Sequence, residues 1–206
     1  MPMAIPDFAD MVWLFTCDNR NRGILNQNFD EAALLWRAVR ESDGPILEVG
    51  RRQGGATALM LAAGHGRTVT SIDLIPAHDK ACQYLFDRIQ EADPERLELL
   101  VGDSRKPLDG HDFGFLFMDG DDSYEGARAD VAAHWPSLRP FNGVPGGVVF
   151  HNAMPNKGLA YQGRANHAAG VTSLCHELIE CGAARAVEAA GSSLWMVKQD
   201  ELPYDF

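Results

Sequence analysis

The sequence predicts an α/β fold in which a mostly parallel sheet carries helices on both faces. Three observations predict it. Short apolar runs of strand length alternate with longer segments whose apolar residues recur at helical spacing. Polar side chains recur where those short runs end: Glu48, Asp73, Asp103, Asp119 and Asn152. The last two strand-like runs are separated only by Gly191-Ser192, a hairpin signal that predicts an antiparallel close to the sheet.

Each element has its own local reason. Asn28-Phe29-Asp30-Glu31 opens a helix that continues through AALLWRAVR, and Ser42-Asp43-Gly44-Pro45 breaks it. PILEVG is the first strand, and TALMLAAG is a helix closed by Gly64 and Gly66. TVTSIDLI is the second strand, rich in β-branched residues. HDKACQYLFDRIQEAD is an amphipathic helix. LELLVGD, FGFLFMDG and GGVVFHN are strands three to five, and SYEGARADVAAHWPSL is the helix between the last two, ending before Pro136 or Pro140. TSLCHELIECG is the final helix, followed by ARAVEAA and SLWMVKQ as the closing pair. One long irregular stretch, Ala153 to Gly170, directly follows the fifth strand. A loop of that length is a lid, a binding loop or a disordered segment, and its Met154, Tyr161, Arg164 and His167 suit a polar, partly aromatic substrate.

The bulk numbers bound the function. A chain of 206 residues is one domain, with 1–27 as an N-terminal cap segment and 28–199 as the core fold. Hydrophobic residues make up 46% and charged residues 23%, as in ordinary globular proteins. A net charge of −11 argues against nucleic acid as a partner, because phosphate binding needs clustered Lys and Arg. No apolar run is long enough for a membrane span, and the N-terminus carries Asp7 and Asp10 where a secretory leader would be apolar. The four cysteines are scattered, with no zinc spacing, and read as reduced residues of a cytoplasmic protein. Trp13 and Phe15 of the cap segment either close a cleft or pack on a second subunit, which makes a homodimer an expected assembly.

In an open α/β sheet, ligands bind beyond the carboxyl ends of the strands where strand order reverses. The stretch ILEVGRRQGGATALM places Gly50 and Gly54 between a strand and a helix whose N-terminus favours a carboxylate or a phosphate. Arg52 stands where a dinucleotide motif wants its middle glycine, which argues against a nicotinamide-dependent oxidoreductase. Glu48 suits a cationic group, so an amino-acid moiety fits this loop better than a pyrophosphate. Asp73, 25 residues on, is placed to accept from ribose hydroxyls, and Asp103 from an exocyclic amine of adenine. Each could instead be a loop acid or a helix cap.

Taken in order, E-V-G-x-x-x-G, SID, VGDS, MDGDDSYEGARAD and PGGVVFHN resemble the class I S-adenosylmethionine (SAM)-dependent methyltransferases, in the small-molecule branch of catechol O-methyltransferase-like bacterial enzymes. The resemblance spans about Asn28 to Gln199. It implies a Rossmann-like, doubly wound sheet of seven strands with a reversed last strand, and O-methylation of a small-molecule acceptor. It also implies that Glu48, Gly50 and Gly54 line the methionine portion of the cofactor, Asp73 the ribose, and Asp103 with Ser104 the adenine, with Asp119 beside the cofactor. The chain departs from the pattern in four places. Ala56 stands for a common Ser, and Thr57 is a candidate to compensate. Asp122 stands for His, and His151-Asn152 for a more acidic pair. RPFNGVPGG splits the usual RPGG turn and is expected to lengthen the rim of the cleft.

Two arrangements for the chemistry follow. In one, Asp119, His151 and Asn152 hold Mg2+ or another divalent cation that lowers the pKa of the acceptor oxygen. In the other there is no metal, and Asp122 or His151 is the general base. Tyr124 and Glu125 read as helix-start residues and Trp135 as core. The substitutions at Ala56, Asp122 and Asn152 also fit a third reading, a cofactor-binding protein without catalysis.

Overall fold

The computed structural model describes residues 7–15, 24–76, 79–154, 169–204 and 206. Seven strands form one sheet: β1 (Ile46–Val49), β2 (Val69–Asp73), β3 (Leu97–Val101), β4 (Phe115–Met118), β5 (Gly147–Phe150), β6 (Ala184–Ala190) and β7 (Ser193–Lys198). Their order is β3-β2-β1-β4-β5-β7-β6. The first five are parallel, β7 runs antiparallel to β5, and β6 runs antiparallel to β7 with a register shift between Ala186 and Glu188. The expected mostly parallel sheet with an antiparallel close is the observed one.

Helices α1 (Phe29–Glu41), α2 (Gly55–Ala63), α3 (Lys80–Ala92), α4 (Tyr124–His134) and α5 (Ala169–Glu180) cover the sheet. Strand alternation divides the core between its two faces. Ile46, Phe115, Phe117 and Val149 pack with Leu34, Leu35, Leu59 and Phe86 of α1, α2 and α3. Leu47, Val49, Leu116, Met118, Val148 and Phe150 point the other way, onto Val131, Trp135, Leu174 and Leu178 in and around α4 and α5. β4 and β5, buried on both faces, have no polar alternation and read as continuous apolar runs, and β1 departs from this only at Glu48. Trp135 is core, fully buried, with its indole N–H donated to the Asp200 carbonyl at 3.0 Å.

A 3-10 helix at Phe8–Phe15 precedes α1 and buries Met11 and Leu14 in the first core. Leu25 lies so close to Gly55 that a Cβ there would meet the Leu25 backbone at about 2.6 Å. The N-terminal segment is thus seated on the start of α2. Most of the stretch from Ala153 to Gly170, including Tyr161, Arg164 and His167, lies outside the described residues, as does Cys17. Cys82 and Cys175 are free and buried, and Cys181 is free and exposed.

The RPFNGVPGG insertion differs from expectation. Phe141 packs on Gly44 and Gly114, which lead into β1 and β4, and the Asn142 amide donates to Asp43 at 2.7 Å. The insertion precedes β5, so it lies at the amino edge of the sheet, away from any site at the carboxyl edge.

Candidate active site

Strand order reverses between β1 and β4, and the carboxyl ends of these two strands open into a cleft of about 530 Å³. Its wall contains Gly50, Asp73, Asp103, Ser104 and Asp119 among the expected cofactor residues, and Asp122 and Asn152 among those expected for the chemistry. Glu48, Gly54 and His151 are absent from that wall.

Gly50 has φ of 90°, and a Cβ there would run into the Asp119 carbonyl, so a side chain is excluded by the close approach of the β1 and β4 exits. Gly54, also at φ of 90°, is the N-cap of α2 and packs on Phe86 of α3. It offers no side-chain cap, and Gly55 and Ala56 of the first turn line the cleft. The unpaired N–H groups and positive dipole end of α2 therefore face the cavity, where a carboxylate can take them.

Glu48 requires a correction. It is the third residue of β1 and wholly buried, because alternation turns it from Leu47 and Val49 toward α2. One carboxylate oxygen accepts from the Thr57 and Ser71 hydroxyls, and the other has no partner. Burial pushes its pKa from 4.5 to about 7, against the hydrogen bonds from Ser71 and Thr57 and the charge of Arg51. Glu48 lies behind the glycine loop, and Thr57 spends its hydroxyl on it, so Thr57 does not replace the missing hydroxyl at Ala56.

Asp73, at the end of β2, accepts from the Arg52 N–H at 2.7 Å and the Ile75 N–H at 3.1 Å while facing the cleft. Asp103 is gripped by Arg105, whose backbone N–H and Nε reach Oδ1 at 3.1 and 2.8 Å and whose Nη2 reaches Oδ2 at 3.1 Å. Ser104 donates its hydroxyl to Asp130 at 2.7 Å. Arg51 is buried and binds the carbonyls of Ser71, Leu100 and Ile75, which ties together the ends of β2 and β3.

At the other end of the cleft, Asn152 has φ of 56°, a left-handed conformation that asparagine tolerates, and its amide donates to Asp122 Oδ1 at 3.0 Å. His151 is buried. Its Nδ1 lies 2.8 Å from Asp119 Oδ1 and its Nε2 lies 3.6 Å from Glu31 Oε2. Burial alone would lower the imidazole pKa, but Asp119 and then Glu31 overrule it and raise it to about 10. Burial alone would likewise raise the Glu31 carboxyl. Hydrogen bonds from His151, Ser192 and Asn28 instead hold it at about 2.

His151 is absent from the cleft wall, and its two ring nitrogens face carboxylates, Asp119 and Glu31. Among the described residues no group of three His, Cys, Asp or Glu side chains could hold a metal ion. Of the expected trio, Asp119 and Asn152 line the cleft and His151 does not.

A family model described as a methyltransferase domain matches residues 47–153, just over half of the chain. The chain belongs to this methyltransferase family. Solved structures of similar fold include an SAH-bound methyltransferase from Podospora anserina, at 14% identity and a TM-score of 0.61, covering 82% of this chain and 78% of that one. A SAM-dependent O-methyltransferase from Thermotoga maritima has 14% identity and a TM-score of 0.63, covering 97% and 74%. An O-methyltransferase from Bacillus cereus in complex with SAH has 17% identity and a TM-score of 0.54, covering 84% and 82%. A search of curated proteins returns no match.

Several cleft residues of this methyltransferase carried no signal as site residues. Ile24, Asn26 and Gln27 line the cavity from the N-terminal segment, and Gln27 donates to Asp119 Oδ2 at 2.8 Å. Glu31 was legible as the fourth residue of an Asn-x-x-Glu helix start, and its capping box is formed. Its second task beside His151 needs a contact across 120 positions of sequence.

Proposed function

We propose that this methyltransferase uses SAM to methylate an oxygen of a small-molecule acceptor. The observation that carries the reading is the convergence, in one cleft, of the uncapped α2 N-terminus, Asp73 and the Asp103-Ser104 pair at three successive strand ends. A cofactor with a carboxylate, a ribose and an adenine matches them in that order. The volume also suits a nucleoside-sized ligand, within the roughly 300–1,000 Å³ of small-molecule sites.

Bound there, the cofactor supplies a methyl group on a sulfonium carbon, which the acceptor oxygen takes as the carbon–sulfur electron pair returns to sulfur. The protein supplies position and a place for the proton. Asp122, oriented by Asn152, is the residue assigned to receive the acceptor proton, and Asp119 fixes the acceptor from the β4 side. Acids on this wall and the Arg105–Asp103 pair on the other keep the charge of the two ends distinct. A cytoplasmic location and a homodimer formed through the N-terminal segment belong to the same proposal. Phe29, 62% exposed beside Phe8 and Phe15, supports the second.

Calorimetric titration tests the cofactor. SAM should bind and NAD should give no heat. Asp73→Ala should weaken SAM by at least about tenfold, since it removes a charged hydrogen-bond acceptor. Heat from NAD and none from SAM would reverse the assignment. Binding of SAM without methyl transfer to any phenol or alcohol in a broad acceptor screen would favour a cofactor-binding protein, a reading that Ala56 and the diverted Thr57 hydroxyl support.

A further inference from the structure

The acid expected to meet adenine is already engaged. Both oxygens of Asp103 are held by Arg105, through two donors on Oδ1 and one on Oδ2. The pair also reaches solvent, with 59% of the Arg105 side chain and 30% of the Asp103 side chain exposed. A second carboxylate stands on the same wall. Asp130, on α4, lines the cleft with Asp103 and Ser104 and is only 3% exposed. Its Oδ1 accepts from the Ser104 hydroxyl at 2.7 Å, and no hydrogen bond from a described residue reaches its Oδ2. Gly120, just past the end of β4, leaves that oxygen uncovered, because a Cβ there would come within 2.9 Å of it.

We propose that Asp130, rather than Asp103, reads the base of the cofactor, with Oδ2 accepting from the exocyclic amine of adenine. The assignment rests on the methyl-transfer reading of the cleft and adds to it a residue that sets base specificity.

Three features support it. A buried carboxylate oxygen without a donor is costly, and a ligand N–H removes that cost, whereas Arg105 and solvent already satisfy Asp103. The Asp130 carboxyl lies between the exits of β3 and β4, held by Ser104 of one and flanked by Gly120 of the other, so its direction is fixed before a ligand arrives. Ile72 and Leu74, the neighbours of Asp73 in sequence, line the same cleft, and Leu74 is 72% exposed, an apolar surface that a flat base can cover beside the ribose acid.

The test compares S-adenosylhomocysteine with S-inosylhomocysteine by calorimetry on the full chain. The inosyl compound carries a carbonyl where adenine carries its amine, so it sets an acceptor against Oδ2. The wild-type protein should prefer the adenosyl compound by at least about tenfold. Asp130→Asn keeps an acceptor for the Ser104 hydroxyl and turns an amide nitrogen to the ligand, so the preference should fall to within about threefold or reverse. Asp103→Asn should leave it near the wild-type value. Equal affinities in the wild-type protein, a preference that persists in Asp130→Asn, or one that vanishes in Asp103→Asn would each overturn the proposal. If Asp130→Asn does not fold, the wild-type and Asp103→Asn ratios decide. Failure of the wild-type protein to bind either compound refutes the cofactor reading itself, whereas binding with an unshifted ratio in Asp130→Asn refutes the assignment of Asp130 only.

Discussion

Glu48 shows how one side chain can be legible as important and misread in its role. The acid at the end of an apolar strand was visible, but which face it would take depends on where the strand stops, and a one-residue difference reverses it. With Glu48 inside β1, its carboxyl becomes a buried group with one unpartnered oxygen. The energetic consequence has a definite sign. Its pKa is raised from 4.5 to about 7 in the folded protein, so between those values the folded state holds a proton that the unfolded chain has released. Stability from this group is full below pH 4.5 and is lost as pH rises toward 7, by up to roughly 3 kcal/mol. Glu48→Gln should therefore raise the melting temperature at pH 8 and leave it nearly unchanged at pH 5. Equal effects at both values would show that the carboxyl is not taking up a proton on folding.

Among the elements, α1 and the β6–β7 turn are joined by Glu31. Its carboxylate closes the capping box of α1, receives both donors of Ser192 and faces His151. Two substitutions at the same helix start should accordingly differ. Asn28→Ala removes the N-cap side chain and should cost about 1 kcal/mol in urea unfolding. Glu31→Ala should cost about 3 kcal/mol or more, because it leaves the His151 cation and the Ser192 donors without their buried partner. Equal costs would mean that Glu31 is only a cap. The elements themselves were largely legible in the sequence. Fully buried parallel strands are short unbroken apolar runs, and Gly191-Ser192 marked the hairpin. The insertion at RPFNGVPGG was misplaced because it was read as part of a motif rather than by its position before β5.

For the whole molecule, the cleft is closed by parts far apart in the chain. Strand ends from β1 to β5 were recoverable because a parallel sheet places every carboxyl end on the same edge. The contributions of Ile24, Asn26 and Gln27 were not, because a segment without periodicity carries no signal of where it docks. Removing residues 1–27 should lower SAM affinity by at least about tenfold, through loss of this wall and of the Leu25 contact on Gly55. Undiminished affinity in a folded truncation would show that the segment only covers the core. No helix among the described residues is long and apolar enough to cross a membrane.

The placement of the insertion has a practical corollary. The turn stands on the edge of the sheet opposite the cleft; Gly143, at φ of 82°, disfavours a side chain, but Pro140 and Pro145 on either side give the turn an exposed tip. A fluorophore, an affinity handle or a surface tether introduced at that tip can immobilise or report on the protein while leaving ligand access unobstructed.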